Sequence, residues 1–253
     1  MKSTANVSLK YAVVGTGCCG TVAMARQLTR AGLPCTHEAI FGHDGYQMGL
    51  SRLSGEAPIQ NSETSLREGN WLSETDTIVA ESSYLAVPFL GHPALKSVTV
   101  IHLVRQPLSV ISSFVLDLDY FCPKMSTREV SVWNRFIYEH LPDLRDHRSA
   151  ITRAAKFYVD WNRMVEAITD DPSRNSFFHR IEDDPTAVLD FLGVKDPQSN
   201  YIINRRSNSK GKRNFDFTPS DIDCPCVRAE FIDMSCRYGY DLTRAKRGTP
   251  SFL

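Results

Sequence analysis

Five short runs rich in apolar and β-branched residues punctuate the chain: Lys10–Val14, Pro34–His37, Thr77–Glu81, Val98–Val104 and Ser176–Ile181. Each is too short for a stable helix, and together they predict five strands. Between them apolar residues return at helical spacing. Val22, Ala25 and Leu28 mark one such stripe, and Val110, Ile111, Phe114 and Val115 mark another behind Pro107, which suits the first position of a helix. Val130, Trp133 and Ile137 keep the same spacing, and Ile151, Ala155, Tyr158, Trp161, Val165 and Ile168 hold it over a longer segment. Strands separated by helical crossovers predict an α/β fold, with a central parallel five-stranded sheet flanked by helices.

Element ends are signalled as well. Asp184-Pro185 opens a short helix that Gly193 closes, and Thr218-Pro219-Ser220-Asp221 has the form of a capping box. Residues 42–75 are rich in Gly, Ser, Glu and Asn without periodicity, and 200–217 carry Arg205, Arg206, Lys210, Lys212 and Arg213 among turn formers. These are the two candidate functional loops. No repeat or linker divides the chain, so one domain over residues 1–253 is expected, its core within about residues 10–240.

The 253 residues are 42% hydrophobic and 23% charged, the balance of an ordinary globular domain rather than of a disordered or fibrous chain. Lys plus Arg equals Asp plus Glu at 29 each, so no net field draws the molecule to nucleic acid or to an anionic membrane. Neither partner is expected, and any anion must be held by a local site. The sequence lacks an apolar stretch of membrane-spanning length, and MKSTANVSLK lacks the apolar centre of a signal peptide, which predicts a cytoplasmic protein. Seven scattered Cys suit reduced, buried thiols better than a disulfide scaffold. Cys224, Cys226 and Cys236 lack zinc-ligand pairing, and His37, His43, His92, His102 and His179 show no metal spacing, so no metal is expected.

The richest chemistry lies in Tyr11-Ala-Val-Val-Gly15-Thr16-Gly17-Cys18-Cys19-Gly20-Thr21, which runs from strand through glycine turn to helix. Bare backbone N–H groups at a helix N-terminus stabilise a phosphate. Gly15, Gly17 and Gly20 also spell the dinucleotide fingerprint, with Glu38 near the end of the next strand where a ribose-binding acid would sit, so an NAD(P)-binding oxidoreductase is one reading. A Walker loop would need Lys at position 21, where this chain has Thr21. Farther on, Val98-Thr-Val-Ile-His-Leu-Val-Arg105 ends a strand in a cation, and Ser113 lies eight residues beyond it.

The glycine loop with Arg105 and Ser113 resembles the sulfotransferase superfamily, whose donor is 3'-phosphoadenosine 5'-phosphosulfate. The likeness extends over about Tyr11 to Tyr240 and includes Glu81-Ser-Ser-Tyr, Phe157-Tyr-Val-Asp-Trp161-Asn162, His179-Arg180-Ile-Glu182-Asp183 and Phe191-Leu-Gly193. The resemblance implies a P-loop-like architecture in which Gly15, Thr16, Gly17, Cys18, Cys19, Gly20 and Thr21 cradle the phosphosulfate. It further implies that Arg105 and Ser113 bind the 3'-phosphate, and that Lys210, Gly211, Lys212 and Arg213 cover that end of the donor. The implied activity is metal-free transfer of a sulfonate group to a hydroxyl or amine on a small-molecule, carbohydrate or peptide acceptor.

One departure matters: the family carries Lys or Arg where this chain has Cys18. A nucleotide-binding protein without turnover is therefore a further alternative. In several groups of the family a Glu about twenty residues beyond that basic position takes the acceptor proton, which points to Glu38 as general base with His37 as runner-up. Strand alternation predicts that only one of these neighbours faces the cleft.

Overall fold

The apolar runs form the expected strands, and the computed structural model describes residues 7–59, 77–117, 121, 132–194 and 217–242. In chain order the main elements are β1 (Val7–Val14), α1 (Thr21–Arg30), β2 (Cys35–His37), α2 (Tyr46–Leu53), β3 (Ile78–Ser82), β4 (Thr99–Val104), α3 (Pro107–Ser112), α4 (Val132–His140), α5 (Ala150–Thr169), β5 (Ser176–Arg180), α6 (Thr186–Phe191) and α7 (Pro225–Arg237). The chain divides into two compact units interleaved in sequence, Met1–Arg105 with Trp161–Asn208, and Gln106–Asp160 with Ser209–Leu253.

The first unit contains an all-parallel five-stranded sheet in the order β2-β3-β1-β4-β5. Alternation along its strands builds two different faces. Val13, Ala80, Ile101 and Leu103 pack with Met24, Ala25 and Leu28 of α1 and with Val188 and Leu189 of α6. Full burial of such a side chain contributes about 1.5–3 kcal/mol. The apolar stripe of α1 thus fixes the helix on the sheet, and with it the loop that leads into the helix. On the opposite face His102 bonds Asn162 at 2.9 Å and meets the Phe178 ring edge-on. Trp161 is fully buried and 6.0 Å from the Tyr84 ring. These two are core residues, as their apolar neighbours in the sequence suggest.

In the second unit, aromatic packing dominates. Phe114, Phe121 and Phe157 form a cluster with ring centroids 5.2 to 5.8 Å apart, and Phe231 of α7 meets Tyr158 of α5 at 5.6 Å. The Thr152 hydroxyl near the start of α5 donates to Asp223 and accepts from its backbone N–H at 3.1 Å, tying the approach to α7 onto α5.

Three differences from the sequence reading have physical causes. Residues 42–75 are not irregular throughout, because α2 lies among them. That helix opens at Gly45 with φ 88° and brings Gly49 so close to Phe41 that a Cβ would stand 2.9 Å from its ring. Contact of bare backbone with a ring leaves no periodic signature. The Thr218 capping box is present, with Thr218 N–H donating to Asp221 at 2.8 Å, but it opens only the short turn Pro219–Asp221. Finally, Cys19 and Cys35 are buried as expected, whereas Cys226 and Cys236 are exposed because they face outward from α7.

Candidate functional site

The site begins where β1 stops at Val14. Gly15 passes so close to β4 that a Cβ there would stand 2.0 Å from the Leu103 carbonyl oxygen, so only glycine fits without displacing the neighbouring strand. Cys18 then takes a left-handed φ of 61°, unusual for a residue with a side chain, and Gly20 follows at φ 105°. A side chain on Gly20 would also strike Ile181, 2.7 Å away. These turns aim the loop into α1, whose ten residues start without a side-chain cap and carry no acid in the first turn. Uncapped N–H groups and the positive end of the helix dipole fit an anion.

Two strand ends hold the first residue of that helix. His37 Nε2 lies 3.0 Å from the Thr21 hydroxyl, and the Ser82 hydroxyl donates to the Thr21 carbonyl at 2.8 Å. The register explains the convergence: His37 pairs with Ser82 across β2 and β3, and both project toward α1. Burial pushes the His37 imidazole down to about 4, with nearby Arg26 adding to the effect, so the ring is neutral near pH 7.

Arg105, just beyond β4, donates from Nη1 to the Cys18 carbonyl at 3.0 Å. A cation from the adjacent strand end therefore touches the loop at Cys18. Cys19, directly behind, is wholly buried, and desolvation drives its thiol far upward.

Glu38 overturns the expectation from strand alternation. It has left β2 and adopts φ 53°, so its side chain turns back and places a carboxylate oxygen 3.6 Å from His37 Nε2. Both neighbours thus lie in one cluster. The turn is held by Glu81, a fully buried residue of β3 that the sequence reading did not place in the site. Its carboxylate accepts from the Thr36 hydroxyl, from Ile40 N–H at 3.1 Å and from Phe41 N–H at 3.4 Å. Burial raises Glu81 to about 7 against the opposing pull of these hydrogen bonds. Glu38, whose side chain is only 11% exposed, is raised to about 8, first by burial and then by the nearby Glu81 charge. Sequence offered one clue to Glu81: an acid at the end of an apolar run.

Arg52 is also buried, but its guanidinium is engaged by Asp44 and the Ile40 carbonyl, which makes it a brace for the segment after Glu38. Ser113 belongs to the second unit, where it follows α3 at the start of the wide turn Ser113–Asp117. Lys210, Gly211, Lys212 and Arg213 lie outside the described residues. Among the described residues no cluster of His, Cys, Asp and Glu forms a metal-binding group, and no helix is long and apolar enough to cross a membrane. No protein-family model matches the chain, and no curated protein is significantly similar to it.

Proposed function

We propose that this protein is a sulfotransferase that moves a sulfonate group from 3'-phosphoadenosine 5'-phosphosulfate to a hydroxyl or amine acceptor. The observation that carries this reading is the contact of Arg105 with the Cys18 carbonyl, at a glycine loop opening an uncapped helix. It supplies positive charge beside the loop despite the missing basic side chain at Cys18. The phosphosulfate rests on the N–H groups at the start of α1, with Thr21 fixed from below by His37 and Ser82.

In the reaction the acceptor oxygen or nitrogen attacks sulfur in line, its bond to sulfur forms, and the bond from sulfur to the bridging phosphate oxygen breaks. Ionised Glu38 takes the acceptor proton, and 3',5'-phosphoadenosine leaves with the bonding electron pair. A carboxylate raised to about 8 is a stronger base than an ordinary one, and its ionised fraction grows through neutral pH. His37 serves as the brace of Thr21 rather than as the base, since burial makes its imidazole a weak base and its Nε2 is already in contact with that hydroxyl. Charge developing on the leaving phosphate is offset by the N–H groups at the helix N-terminus, usually a large part of such catalysis.

The strand order gives the dinucleotide reading of the glycines less support. In that fold the second strand lies directly beside the first, which brings its terminal acid to the ribose. Here β3 separates β2 from β1. Incubation of the full chain with sulfur-labelled donor and a panel of phenols, sugars and tyrosine peptides tests the proposal. Label should appear on at least one acceptor class in step with release of 3',5'-phosphoadenosine; absence of label from every acceptor, with the nucleotide bound, would leave a binding protein without turnover.

A further inference from the structure

The second unit carries a chemically distinct feature at the start of α7. In Cys224-Pro225-Cys226 the proline occupies the first helical position and Cys224 the N-cap, with extended φ −85° and ψ 114°. Residues two apart within a helix point away from each other. The N-cap residue lies outside the helix, however, and its side chain can fold over the first turn. As a result the two sulfurs are 2.9 Å apart, only about 0.9 Å more than a disulfide bond. Cys226 is exposed and Cys224 half-buried, so solvent reagents reach the pair.

We propose that Cys224 and Cys226 form a reversible dithiol–disulfide site whose oxidant is a low-molecular-weight disulfide. The Cys224 thiolate attacks one sulfur of that disulfide, forming a mixed disulfide and expelling the first small thiolate. Cys226 gives up its proton to the expelled thiolate, and its sulfur then attacks Cys224, expelling the second, which takes a proton from solvent. The protein loses two protons and two electrons in total, and the small disulfide is reduced to two thiols. Cys224 is the attacking sulfur because the Cys226 thiol and the backbone N–H of Val227 both hold it below the ordinary thiol range, while Cys226 is shifted upward. A disulfide spanning a single intervening residue at an exposed helix end is strained and returns readily to the dithiol.

The other cysteines offer internal controls. Cys236 is exposed on the same helix but sits about 15 Å along the axis from Cys226, out of reach of the pair. Cys19, although adjacent to Cys18, is fully buried with its thiol held protonated. The reduced full chain is therefore to be incubated with oxidised glutathione, quenched by alkylation and mapped by peptide mass spectrometry. The peptide containing both residues should lose two hydrogens and resist alkylation, and dithiothreitol should restore both thiols. Cys226→Ser should stop at a glutathione adduct on Cys224, whereas Cys224→Ser should react at least 10-fold more slowly at Cys226. Continued alkylation of both residues in the oxidised wild-type protein, or a disulfide from either one to Cys236, would overturn the proposal.

Discussion

The guanidinium of Arg105 holds the glycine loop through the Cys18 carbonyl. Arg105→Ala removes a charge-assisted hydrogen bond of about 1.5–3 kcal/mol. Binding of 3',5'-phosphoadenosine and of adenosine 5'-phosphosulfate should both weaken, because the loop loses its brace, with the larger loss for the nucleotide bearing the 3'-phosphate. Titration calorimetry with the two nucleotides checks this, and equal losses would confine Arg105 to the loop. Glu38→Gln should leave donor affinity intact and lower transfer by about 10²–10⁴-fold. Near-normal transfer in that variant, with His37→Ala inactive, would move the base to His37. The candidate residues in the loop and at the end of β2 are visible in sequence because glycines and acids at strand ends are punctuation. What could not be read is how His37 and Glu38 meet, since the left-handed turn at Glu38 depends on Glu81, forty-three residues further along the chain.

At the scale of elements, the strands and the stripes of α1 and α5 were legible because apolar burial imposes a period on the sequence. The helix α2 was not, because Gly45 and Gly49 shape it through close backbone approach rather than apolar repetition. The same physics makes Gly15 a sharp test of the contact between the glycine loop and β4. Gly15→Ala places a methyl group 2.0 Å from the Leu103 carbonyl oxygen, which belongs to a central strand and cannot turn aside like a flexible side chain. A loss of about 3 kcal/mol in unfolding free energy is expected, read from the denaturant midpoint. A midpoint unchanged from wild type would mean that the loop does not pass against β4.

For the molecule as a whole, the buried acids and His37 shape stability against pH in opposite directions. Glu38 and Glu81 are raised in the folded state to about 8 and about 7, so their contribution is full below the ordinary carboxylate value and is lost as pH rises through 7 to 8. His37 is lowered to about 4, so its contribution is present above its ordinary value and lost as pH falls through 4. The two acids outweigh the one imidazole above the ordinary carboxylate value, so melting temperature should peak near pH 4.5 and fall from there toward pH 8, and Glu81→Gln should flatten that fall. A wild-type melting temperature that rises steadily to pH 8 would contradict the burial of the acid pair. The two-unit division was not legible, since each unit is made of separated stretches and no linker composition marks the crossings.

The proposed sulfotransferase activity requires the glycine loop to hold an adenosine nucleotide carrying phosphates at both the 3' and 5' positions. Thermal unfolding of the full chain in the presence of 3',5'-phosphoadenosine, with NAD(H) in parallel, tests it most directly. Ligand binding to the folded state alone stabilises by about 2.7 kcal/mol at a concentration about 100 times Kd. A melting temperature raised by 3',5'-phosphoadenosine, unmoved by NAD(H) and no longer raised after Arg105→Ala is the predicted result; a rise with NAD(H) and none with 3',5'-phosphoadenosine would contradict it.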